Sequence, residues 1–159
     1  MDKEVKLLAT MNNGIGKIYR QITMITETPD KILLLDYGPE VHGMEEIDKE
    51  EATKLINSRL LNILESYKRD EIRLKITVSD NELWIRTLGS PNFDELTIRK
   101  GLSPQWDIAI DTLYKCKPPV AAVINFEGCD IIFNKTDKIT VALAKVVTER
   151  GAVSAHALR

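Results

Sequence analysis

The chain has 159 residues, 43% of them hydrophobic and 29% charged, with a net charge of −2. That length points to a single domain over residues 1–159, large enough to bury roughly 70% of the surface its unfolded chain exposes. The near-neutral balance supplies no global field toward nucleic acid or an acidic membrane, and no stretch approaches the roughly 20 apolar residues that span a bilayer.

Residues 4–11 alternate loosely and run into Asn12-Asn13-Gly14, residue types that tolerate the positive φ of a tight hairpin. The return strand is expected over Lys17–Thr26. Thr28-Pro29-Asp30 reads as a turn into Lys31–Tyr37, whose Ile32-Leu33-Leu34-Leu35 run suits a strand covered on both faces. Gly38-Pro39 stops it, and a polar loop leads to Asp48. Asp48 and Glu51 make a D-x-x-E capping pattern. Ala52, Leu55, Ile56, Leu60, Ile63, Leu64 and Tyr67 then recur at three- and four-residue spacing, which predicts a helix over residues 49–68 with one buried face.

A second hairpin turns at Ser79-Asp80-Asn81, with Ile72, Leu74, Ile76 and Val78 alternating before it and Leu83–Leu88 returning. Ser90-Pro91 is a helix-start signal and Gly101 a stop, so Phe93–Lys100 reads as a short helix, with a strand as the alternative. Ser103-Pro104 repeats the start signal, and Trp106, Ala109, Ile110 and Leu113 mark a helix that ends before Pro118-Pro119. A third hairpin turns at Glu127-Gly128, between Val120–Phe126 and Cys129–Asn134. Thr136 or Asp137 would cap a last helix burying Ile139, Ala142, Leu143, Val146 and Val147, and Gly151 would end it. Ala152–Arg159 reads as a frayed tail or a short closing strand.

The expected fold is therefore α+β: an antiparallel sheet built from three β-hairpin units, each followed by a helix, with the helices mainly on one face. Cys116 and Cys129 lie outside any CxxC pair and read as core or boundary residues rather than a disulfide. The N-terminus has no apolar core of signal-peptide length, so the expected location is cytoplasmic.

Few residue groups suggest chemistry. Gly14-Ile15-Gly16-Lys17 looks like a phosphate loop, since glycines let N–H groups approach an anion and Lys17 adds charge. The spacing is not that of a P-loop, however, and a strand follows, so a hairpin turn is the plainer reading. Asp36, Tyr37, Glu40 and His42 hold groups suited to acid–base work, but a polar loop explains them as well. Arg73, Lys75, Trp84 and Arg86 combine cations with an aromatic plane, a set that grips a base or a phosphate. Whether they share a face depends on a register the sequence leaves open, and a solvated outer face is the competing reading. Asp94 and Glu95 read as a solvated helix face or as partners of a helix dipole. No metal-ligand spacing, cofactor motif or nucleophile setting appears.

The function this implies is a non-catalytic cytoplasmic binding module that self-associates, acting through protein contacts or by sequestering a ligand. One alternative is a small-molecule binder that holds a nucleotide-like anion through Lys17, Arg73, Arg86 and Trp84. The other is a phosphoester-processing enzyme working through His42 with Asp36 or Glu40. Strands with apolar residues on both faces, and Val153, Ala155, Ala157 and Leu158 in the tail, favour self-association.

Overall fold

A computed structural model describes residues 4–13, 18–38, 42–70, 73–88, 94–148 and 153–155. Four strands come first: β1 (Val5–Asn13), β2 (Ile18–Ile25), β3 (Thr28–Tyr37) and β4 (His42–Ile47). Helix α1 (Lys49–Asp70) leads to β5 (Arg73–Val78), β6 (Glu82–Leu88) and β7 (Asp94–Arg99). Helix α2 (Pro104–Lys115) then leads to β8 (Val120–Phe126), β9 (Cys129–Lys135), β10 (Thr140–Thr148) and β11 (Val153–Ala155). All eleven strands belong to one sheet, in the order β4-β3-β2-β1-β7-β6-β5-β10-β9-β8, with β11 paired to β10. Every pairing is antiparallel.

This corrects the expectation of three hairpin units, each followed by a helix. The first unit is a four-stranded meander, because residues 42–47 form an edge strand where a polar loop was expected. After the third unit the described residues hold strands and no helix. Residues 140–148 form β10, and five of its nine residues (Thr140, Val141, Val146, Val147, Thr148) are β-branched, which favours a pleated strand over a helix. A bulge between Leu143 and Lys145 breaks the alternation that would have marked it as a strand. The described part of the Phe93–Lys100 segment is likewise strand, β7, and joins the sheet between β1 and β6. The turn expected at Thr28-Pro29-Asp30 lies earlier, since Thr28 already pairs with Ile25 and Pro29 falls where the register shifts.

One core serves the whole sheet. Leu74, Ile76 and Val78 of β5, Leu83 and Ile85 of β6, and Leu96 and Ile98 of β7 are buried, while the residues between them are half-buried or exposed. Helix α1 adds Ala52, Ile56, Leu60, Ile63 and Leu64; Leu55 is only partly buried. Asp48 accepts the Glu51 N–H at 2.7 Å, so the capping pattern starts α1 as expected. Helix α2 adds Trp106, Ala109, Ile110 and Leu113, capped by Ser103, whose hydroxyl accepts the Trp106 N–H at 3.2 Å. The buried Trp106 Nε1–H donates to Asn57 Oδ1 at 2.8 Å, which ties the two helices together on one face. At the other end of α2, the buried Lys135 ammonium donates to the Tyr114 and Cys116 carbonyls at 2.8 and 3.0 Å. A cation there satisfies carbonyls that the helix leaves open and meets its negative pole.

No helix among the described residues is long and apolar enough to cross a membrane. With α1 and α2 on one face, the opposite face of the sheet has no helical cover among the described residues, and that positions the site.

Candidate functional site

The register of β5 and β6 resolves what the sequence left open. Lys75 pairs with Arg86, Thr77 with Trp84, and Arg73 with Leu88. Because Leu74, Ile76, Leu83 and Ile85 turn into the core, Arg73, Lys75, Trp84 and Arg86 all stand on the helix-free face. Arg86 lies over Trp84, its guanidinium carbon 5.4 Å from the ring centroid, within cation–π range. Among the described residues Arg73 and Lys75 are in no ion pair. Two carboxylates share this face: Glu82 is engaged by Arg99 of β7 at 3.0 Å, and Glu95 of β7 stands opposite Arg86.

Beside Trp84 the face dips into a hollow of about 540 Å³, bordered by Lys75, Thr77, Ser79, Glu82, Trp84 and Ile139. Ile139 is half exposed and supplies an apolar wall opposite the indole. An aromatic plane, an apolar wall and a lysine around one hollow suit a flat ligand that carries negative charge. Lys17, the fourth expected member of this set, lies outside the described residues.

Among the described residues the acid–base group comes together only in part. Tyr37 pairs with His42 on the helix-free face, and both are exposed. Asp36 points to the other face, where its Oδ1 accepts the Arg20 Nε–H at 2.6 Å. Glu40 lies outside the described residues. Among the described residues no three metal-ligating side chains gather.

Sequence reasoning missed a second cleft, of about 330 Å³, between α1 and the ends of β1 and β2. Arg20, Arg59, Ser58 and Asn62 line it over Met11 and Leu55. Both guanidinium groups are matched within the fold: Arg20 by Asp36 and Arg59 by Asp94. Asp94, expected on a solvated helix face or beside a helix dipole, instead meets α1 with its carboxylate and donates its N–H to the Thr87 hydroxyl at 2.8 Å. Only the pairing of β2 with β3, which sets Arg20 opposite Asp36, would have exposed this cleft from sequence. Its internal pairing marks it as a structural seam between helix and sheet, and the Trp84 hollow stays the better candidate.

The exposed aromatic and apolar side chains on the helix-free face extend toward β4. Tyr19, Tyr37 and His42 form a cross-strand row, with Met44, 70% exposed, one pleat away. Comparison of the chain with family models, curated proteins and solved structures finds no match in any of the three.

Proposed function

We propose that the chain is a non-catalytic binding module that takes a nucleotide-like anion on the helix-free face of its sheet. The observation that supports this most directly is the cross-strand placement of Lys75 beside Arg86, with Trp84 under the Arg86 guanidinium and a hollow next to the indole. In this reading the base stacks on Trp84 and the phosphate meets Lys75 and Arg86, while Arg73 at the end of the row adds attraction. Guanidinium groups bind phosphate through paired N–H donors, whereas lysine acts as a point charge. The reading involves no bond making or breaking, and His42 has no part in it.

The two tryptophans make the test direct. Trp106 is fully buried and Trp84 is not, so a change in emission on ligand addition reports on Trp84. Titration with AMP and with ATP should quench saturably, and Trp84→Phe should abolish the response while the protein stays folded. Arg86→Ala or Lys75→Ala should each weaken binding roughly 10- to 150-fold, the range for losing one charged hydrogen bond. His42→Ala should bind as the unaltered protein does. Unchanged emission with both nucleotides, together with no heat of binding by calorimetry, would overturn the reading.

A further inference from the structure

Among the described residues, β4 and β8 end the main run of the sheet, with the short β11 beside β10, and the two end strands differ in chemistry. Edge strand β4 carries Glu45 and Glu46. Charged side chains at an edge resist pairing with another copy, because like charges then face one another. Edge strand β8, Val120–Phe126, carries no charge at all: its residues are Val, Ala, Ala, Val, Ile, Asn and Phe. Among the described residues it has a neighbour, β9, on one side only.

The free side of β8 is limited at both ends. At its C-terminal end, Gln105 of α2 acts as a substitute strand: its amide donates to the Asn125 carbonyl at 3.1 Å and accepts the Asn125 N–H at 2.9 Å. Backbone groups alternate in direction along a strand, so those of Ala121 and Val123 face the same way as those of Asn125. At the N-terminal end stands Pro119, which has no N–H to offer. The unpaired edge is therefore the short stretch Ala121-Ala122-Val123, with donors and acceptors at its first and third residues.

We infer that this edge pairs with the same edge of a second copy, antiparallel about Ala122, so that the sheet continues across a two-fold axis. In that register Ala121 of one copy faces Val123 of the other, and all four open N–H and C=O pairs are satisfied. Pairing ends at Val120, where Pro119 brings no N–H, and stops short of Asn125, whose groups Gln105 already holds, so neither end leaves an unmet donor. No charge meets a like charge, and the facing side chains are small. Helix α2, which packs on β8, supplies apolar area beside the axis: Ile108 lies three residues from Gln105 on the flank of α2 turned toward this edge, and it is 68% exposed. Three strands separate β8 from β6, so this pairing is independent of the Trp84 hollow.

Light scattering across a dilution series, coupled to size-exclusion chromatography, tests it. The expected mass is twice that of the chain. Val123→Lys, at a position already half exposed, should give a monomer with an unchanged circular dichroism spectrum, whereas Met44→Lys on the opposite edge should leave the dimer intact. In a background with Cys116→Ser and Cys129→Ser, Ala122→Cys should form a disulfide-linked dimer under mild oxidation, because facing residues in such a pair lie within bridging distance. A monomer at every concentration, or a dimer that survives Val123→Lys and gives no cross-link through Ala122→Cys, would overturn the inference.

Discussion

Asp137 shows how one side chain serves two different local structures. Its carboxylate accepts the Thr140 N–H at 2.8 Å and the Ile139 N–H at 3.1 Å. An aspartate before a helix does the same with the first free N–H groups, which is why the residue reads as a cap. Here it closes a tight turn that launches β10. The Thr140 N–H, then the Ile139 N–H, hold the carboxyl below its ordinary 3.8. A carboxyl whose folded pKa is depressed contributes stability above the unfolded value, and loses it as pH falls through the folded one. Asp137→Asn should therefore be less stable than the unaltered protein at neutral pH, and the gap should close as pH drops below 3.8. Urea unfolding at successive steps of acidification measures the gap; one that stays constant into the acid range would rule out the carboxylate as its source. Asp111, lowered by Lys100 and then Lys115, follows the same sign.

At the scale of elements, the two capped helices and the Glu127-Gly128 turn were legible because their chemistry is local. The Glu127-Gly128 turn is where the sequence placed it, with both residues at positive φ, 46° and 76°. A type I′ hairpin turn asks for that geometry, and Asn-Gly meets it better than Glu-Gly. An L-residue in the left-handed region costs roughly 1–2 kcal/mol, less for asparagine. Glu127→Asn should then raise stability by about 1 kcal/mol, measured by chemical denaturation, with no change in fold. Elements whose identity depends on distant partners were harder to read. Ile139, Ala142, Leu143, Val146 and Val147 sit at helical spacing, yet the bulge beside Leu143 allows a strand to carry that same pattern. β4 was hidden for a different reason: as an edge strand it buries only Ile47, so no alternation marks it. The Trp84 face was half legible, since its residue types are visible in sequence but the Lys75–Arg86 pairing appears only with the register.

At the scale of the molecule, a single sheet with both helices on one face relies on those helices to close its core. One link between them is the buried hydrogen bond from Trp106 to Asn57. Asn57 is 3% exposed and Trp106 fully buried, so neither polar group has easy access to water if the other is removed. A buried donor left without an acceptor costs about 1–3 kcal/mol, whereas an ordinary hydrogen bond contributes about 1 kcal/mol net. Asn57→Ala should thus destabilise by about 1–3 kcal/mol, less than Leu60→Ala, which should cost about 2–5 kcal/mol by emptying a fully buried leucine site. The two variants should also differ in spectrum. Asn57→Ala should shift the emission of Trp106 in the folded state, because its indole N–H loses its partner. Leu60→Ala should lower the unfolding midpoint and leave the Trp106–Asn57 bond in place. Equal spectra for the unaltered protein and Asn57→Ala would mean that the helices hold their places through apolar packing alone.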